Sequence, residues 1–153
     1  MDDETGIGLA LDMALAAMAA GEPPFGAVIV DREGRVVART TDSVRSCRDM
    51  TRHAEIDAVR AACSARGPDL TGSTLYTTCE PCPMCFTAAW LARVSRIVWG
   101  STMAEVAAIM GSVQRELAVP ASRMNEFGGD TLELRGGVRA TECLELFRKT
   151  APS

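Results

Sequence analysis

His53-Ala54-Glu55 and Thr78-Cys79-Glu80-Pro81-Cys82-Pro83-Met84-Cys85 are the two stretches that decide how this chain is read. The first contains the only histidine of the 153-residue chain. The second contains three of its six cysteines, spaced three apart. A zinc ion in a catalytic site takes three protein ligands from imidazole, thiolate or carboxylate and leaves a fourth position for water. His53, Cys82 and Cys85 supply that count, and Glu55 stands two residues from the imidazole.

The local sequence explains why these positions suit a metal. Cys82 and Cys85 lie at i and i+3, so on the first turn of a helix they point the same way. Pro83 fits that turn because its missing N–H would have had no partner there. The positive end of the helix dipole favours the thiolate form that binds metal. His53 lies at the start of the preceding helix, so two helix N-termini can converge on one cation. A carboxylate at Glu55 is placed to take a proton from a zinc-acidified water and return it to a leaving nitrogen.

Other uses of these residues remain open at this level. Cys79 could complete a closed Cys3His zinc knuckle with no room for water. The Cys79, Cys82, Cys85 run also resembles part of an iron–sulfur ligand set, although a fourth cysteine is missing nearby. Glu55 and Pro81 have no role in either alternative. Their joint spacing matches the H-x-E…P-C-x-x-C pattern of zinc deaminases that act on nucleobases.

On these motifs the chain is identified as a member of the cytidine deaminase-like superfamily. Pro24-Phe25-Gly26-Ala27-Val28 and the run from Leu75 to Cys85 resemble the bacterial guanine deaminase branch. Gly137, Glu142-Cys143 and Leu146-Phe147 are more similar to the tRNA adenosine deaminase branch. The resemblance implies a three-layer α/β/α fold with a five-stranded mixed sheet, a zinc cofactor and commonly a homodimer. It also implies that Glu55 shuttles protons while Phe25 and the Ala54 backbone help to hold the base.

Two departures bear on the substrate. Both branches usually carry asparagine eleven residues before the zinc histidine; here that place is Asp42. An ionised carboxylate only accepts hydrogen bonds, so Asp42 in the pocket would favour a substrate that presents an N–H or amine there. A shifted loop would instead leave Asp42 in solvent. Guanine deaminases of this branch tend to carry an acidic pair after the fourth strand, where this chain has Met110-Gly111. Ile109 and Met110 would then shape a different pocket or pack in the core.

The rest of the composition sets the frame. Hydrophobic residues make up 47% and charged residues 24%, as in an ordinary globular domain. The length suits one domain over residues 1–153. The net charge of −4 lowers the expectation of a nucleic-acid surface without removing it, because charge can be segregated. A small heterocyclic substrate is what the resemblance implies, with tRNA adenosine editing as the alternative. Arg45, Arg48 and Arg52 make the mouth of the site locally basic, either as a solvated face or to meet an anionic group. Trp90 could stack on a base, or serve the core or a dimer interface. Cys47, Cys63 and Cys143 stand alone as small apolar fillers, and a reducing cytoplasm follows from that usage.

Along the chain, Ile7, Leu11, Ala14, Leu15 and Met18 predict an amphipathic first helix rather than a signal segment. No stretch approaches a membrane span. Strands are expected at 25–30, 35–41, 74–79, 95–100 and 132–134. Helices are expected at 52–65 (burying Ile56, Val59, Ala62 and Cys63), 83–92, 103–117 with a break at Gly111, and 141–149. Residues 42–51 and the segment from Pro120 to Gly129 read as loops.

Overall fold

A computed structural model describes residues 1–152, the side chain of Ser112 aside. Its centre is a five-stranded sheet built from β1 (Gly26–Val30), β2 (Val36–Thr41), β3 (Thr74–Cys79), β4 (Arg96–Ser101) and β5 (Glu133–Arg135). The spatial order is β2-β1-β3-β4-β5. β1 pairs antiparallel with β2 and β3, whereas β3–β4 and β4–β5 are parallel. The parallel pairs require crossovers, and the chain supplies helices for them.

Side-chain alternation splits the core into two layers. Ala27, Ile29, Leu75, Ile97 and Trp99 face one side, where α3 (Ala54–Arg66) and α4 (Pro83–Leu91) bring Ala54, Ala58, Ala62, Phe86 and Ala89. Val28, Val30, Tyr76 and Val98 face the other, where α1 (Asp3–Ala19) and α7 (Ala140–Thr150) bring Ile7, Ala10, Ala14, Cys143 and Leu146. This is the expected three-layer α/β/α arrangement with a mixed sheet. The small residues of α1 allow a close approach: a Cβ on Gly26 would lie 2.1 Å from the Ala10 carbonyl oxygen. Only glycine opens β1 at that point.

A third cluster joins Cys79 at the end of β3 to Met103, Val106 and Met110 of α5 (Met103–Met110) and to Leu144 and Phe147 of α7. It lies at the C-terminal end of the parallel strands, where α/β sheets present their sites.

Several details differ from the sequence expectations. Val44–Cys47 forms a one-turn helix, α2, inside the expected loop. Ala121–Phe127 forms α6, where Pro120, Asn125 and Gly128 had suggested loop only. Asn125 acts instead as a brace, exchanging hydrogen bonds of 2.9 and 3.2 Å with the Leu132 backbone. Leu15 is exposed, because the buried stripe of α1 runs through Ala10, Leu11, Ala14 and Ala17. On α3, Ile56 and Cys63 are only half-buried, and Ala54, Glu55 and Ala58 take the inner positions beside Val59 and Ala62. Gly111 ends α5 with φ of 61°, and a short 3₁₀ turn over Gly111–Val113 replaces a longer helix. No described helix is long and apolar enough to cross a membrane.

Candidate metal centre

His53 and Cys82 occupy equivalent places, each the residue just before a helix. Both have extended backbones, with φ/ψ of −66°/150° at His53 and −63°/167° at Cys82. An N-cap side chain normally accepts from the first turn. Neither of these makes such a bond. Their side chains turn towards each other instead: Cys82 Sγ lies 3.7 Å from His53 Nδ1. Cys85, one turn into α4, places its Sγ 3.5 Å from the same nitrogen and 3.6 Å from Cys82 Sγ. Pro83 stands at the first helical position, as its chemistry predicts.

These separations are what a tetrahedral zinc requires. Bond lengths of about 2.3 Å to sulfur and about 2.05 Å to nitrogen imply ligand–ligand edges of roughly 3.5–3.8 Å. The His53, Cys82 and Cys85 donor atoms all lie within 4.8 Å of one another. Cys79 is not in this group; it is buried in the cluster at the end of β3. A closed Cys3His arrangement is therefore not what the fold assembles. Three ligands and a fourth, open position fit a catalytic zinc.

The electrostatics of the donor set favour a cation. The Cys82 thiol is lowered to about 4, first by the Cys85 thiol beside it and also by His53. Cys85 is pushed up, by Cys82 and then by burial. The His53 imidazole is raised to about 9, chiefly by Cys82. Two sulfurs and a carboxylate in one buried place repel negative charge from each other, and a divalent ion would relieve that.

Glu55 is buried on the first turn of α3, with 4% of its surface exposed. Thr77 Oγ1, from the middle of β3, donates to Glu55 Oε1 at 2.7 Å. Glu55 Oε2 lies 3.5 Å from Cys85 Sγ, beside the ligand cluster. Burial raises the carboxyl, with the neighbouring Cys82 adding to the rise. Thr77 was not singled out from the sequence. Its role follows only from β1 and β3 lying side by side beneath α3.

Asp42 is buried, with 3% exposure, and so does not sit in solvent. Its Oδ1 accepts from the Val44 amide at 3.0 Å, and its own amide donates to the Phe25 carbonyl at 3.1 Å. Burial lifts its carboxyl to about 6, while the Val44 N–H and the nearby His53 pull it down. Phe25 is half-buried and meets Phe147 edge-on, with ring centroids 5.0 Å apart. It also walls a cavity of about 350 Å³ with Pro24, Val44, Met110, Val113 and Gln114. Ala54 is fully buried, and its carbonyl accepts from Thr40 Oγ1 at 2.7 Å.

The arginines divide. Arg52 is bound to Asp57 at 2.7 Å, and Arg45 donates to the Gly21 carbonyl at 2.8 Å, whereas Arg48 is exposed. Trp90 is 41% exposed on the outside of α4, which removes it from the core. Met110 is buried in the cluster at the end of β3. Glu116, a little further along, is close enough that its charge helps to raise the buried Cys79 thiol, after burial and Glu55.

Known proteins resemble this chain in sequence and in fold. Residues 1–101 match the family model of the cytidine and deoxycytidylate deaminase zinc-binding region. A tRNA(Ile)-lysidine synthase from Deinococcus deserti is 39% identical over 95% of this chain, which spans 26% of that longer protein. The guanine deaminase of Bacillus subtilis is 38% identical over 70% of this chain and 69% of its own length. Among solved structures, one from a study of A-to-I editing by tRNA:A34 deaminases is 34% identical, with a TM-score of 0.76, covering 93% of this chain and 98% of that one. Another, solved with 8-azaguanine, is 27% identical, with a TM-score of 0.85, covering 97% of this chain and 83% of that one. By its sequence, its fold and the convergence of His53, Cys82 and Cys85, the chain belongs to the cytidine and deoxycytidylate deaminase family of zinc-dependent deaminases.

Proposed function

We propose that this protein hydrolytically deaminates an aminated nucleobase or a closely related small heterocycle, with guanine or a variant of it as the first candidate. The observation that carries this is the Glu55 carboxylate held 3.5 Å from Cys85 Sγ, at the edge of the three-ligand cluster. His53, Cys82 and Cys85 would hold the zinc. When bound, zinc supplies a Lewis acid that acidifies water and stabilises negative charge on oxygen.

The residues of this chain divide the remaining work. Glu55 takes a proton as the water oxygen bonds to the amine-bearing ring carbon, then gives it to the departing nitrogen. The C–N bond breaks and ammonia leaves. Thr77 orients the carboxylate for both transfers. Phe25 and the Ala54 backbone hold the ring. Asp42, an acceptor when ionised, takes a substrate N–H or amine through its second oxygen.

A second reading is deamination of adenosine within tRNA. Its support is the coverage of 93% and 98% shared with the A-to-I editing structure. The acidic balance of the chain weighs against it. Ammonia release from guanine, other bases, nucleosides, pterins and triazines separates the two, run beside inosine formation in tRNA. Glu55→Gln should abolish either activity by a factor on the order of 10² to 10⁴ while zinc is retained. Ammonia release that survives this substitution, or is absent for every small amine, would sink the leading reading.

The protein is further proposed to act as a homodimer of single deaminase domains in the cytoplasm. Trp90 and Leu91 on α4 and Phe127 on α6 are exposed at 41%, 68% and 80%, and Trp90 and Phe127 flank one apolar groove. Such a face suits a second copy. The six cysteines are free thiols, which suits a reducing compartment.

A further inference from the structure

Glu80 is a buried carboxylate in the ligand-bearing turn that the chemistry above leaves unused; it is 7% exposed. It follows the last residue of β3 and precedes Cys82 by two. Its backbone N–H donates to the Ser101 carbonyl at 2.8 Å, fixing the turn to the end of β4. Its side chain spans two distant places: Oε1 accepts from the Met103 amide at 3.1 Å, and Oε2 accepts from the Ala121 amide at 2.8 Å.

Met103 and Ala121 are the first residues of α5 and α6. Amides there have no partner within their own helix, and an anion opposite them is favoured by the helix dipole. α5 has additional local caps, because Thr102 and Glu105 form a reciprocal capping box. α6 has none, since Pro120 offers no side-chain acceptor. Glu80 supplies that acceptor from 41 residues away. Both ends of the 103–121 segment are thus tied to one carboxylate. Within that segment, Met110, Val113 and Gln114 wall the cavity beside Phe25.

We propose that Glu80 is a positioning residue that sets the substrate-facing wall at 110–114 in register with the zinc-ligand turn. The inference rests on the deaminase reading for its kinetic consequence and on geometry alone for the tether. An amide in place of the carboxylate keeps one acceptor but turns an N–H₂ group against a backbone N–H. The wall then loosens while His53, Cys82 and Cys85 stay where they are.

The test compares zinc-loaded wild type with Glu80→Gln and Ala121→Pro. The second variant removes the amide that Glu80 Oε2 accepts from and places ring carbons at the fully buried position 121, so Glu80→Gln is the milder of the two. Proline suits the first helical position, and Pro120 before it is already extended, with φ/ψ of −65°/149°. Both variants should keep one zinc per chain, and amide exchange over 110–114 should quicken about tenfold or more. With guanine as substrate, KM should rise on the order of tenfold and kcat should change less than about threefold. Unchanged exchange over 110–114 overturns the proposal, whether or not the wild type deaminates guanine. Faster exchange with an unaltered KM in an active enzyme also overturns it, leaving Glu80 a stabilising contact only. A wild type inert towards every amine sinks the deaminase reading alone.

Discussion

Thr77 and Glu55 meet at 2.7 Å, hydroxyl to carboxylate, although 22 residues and a change from helix to strand separate them. Thr77 lies on a strand whose partners hold it on both sides, through Ala27 on β1 and Trp99 on β4. The bond therefore fixes the orientation of a buried carboxylate from the central strand of the sheet. Thr77→Val keeps the volume and removes the donor. We expect kcat to fall about ten- to a hundredfold with zinc content unchanged, as loss of one hydrogen bond to a charged group costs roughly 1.5–3 kcal/mol. Steady-state ammonia release and metal analysis check this. Full activity in the valine variant would remove Thr77 from the orienting role.

Removal of zinc should destabilise the whole sheet end, not just the reaction. Without a cation, the sulfurs of Cys82 and Cys85 and the Glu55 carboxylate crowd one buried site. Dialysis against a chelator should lower the thermal midpoint by at least about 5 °C, and added zinc should restore it. Differential scanning calorimetry measures the shift. An identical midpoint with and without metal would mean that the cluster does not bind zinc.

Asp3 should control acid stability from the opposite face. Its carboxylate is held far below the usual range, first by Arg96, with Arg135 and the Tyr76 hydroxyl contributing. Arg96 Nη2 contacts it at 2.8 Å, and the Tyr76 hydroxyl donates at 3.1 Å. A depressed carboxyl stabilises the fold at pH values above its unfolded pKa of about 3.9 and loses that contribution as pH falls towards the folded value. Asp3→Asn should therefore cost about 1–3 kcal/mol at pH 7, and the difference from wild type should shrink below about pH 4. Urea midpoints from pH 3 to 8 test this. A difference that stays constant across that range would remove Asp3 as the cause.

Phe127→Asp tests the proposed dimer face. Phe127 is 80% exposed, and the Arg123 guanidinium lies 4.9 Å above its ring centroid. A carboxylate there should convert a dimer into a monomer at micromolar concentration with little effect on folding. Sedimentation velocity reads the change. A dimer that persists in the variant would put the interface on another surface.

The family and the candidate ligand cluster were legible in the sequence because their motifs depend on local geometry. Helix periodicity brings Cys82 and Cys85 to one side, Pro83 marks the turn, and the lone histidine with Glu55 leaves few alternatives. Strands alternating with helices likewise expose an α/β domain, the three-layer plan coming from the family resemblance, and β3 falls at 74–79 as its composition suggests. Helix α6 was hidden because its start is capped by Glu80 from 41 residues away, so the local signal of Pro120, Asn125 and Gly128 pointed to loop. The burial of Asp42 arises where the end of β2 pairs with the start of β1, and the bond from Thr77 to Glu55 and the tether from Glu80 arise where β3 is flanked by β1 and β4. Those relationships depend on strand pairing across long stretches of chain, and no spacing within one segment encodes it. The motifs determined what the metal centre can hold; the sheet decided which side chains support it.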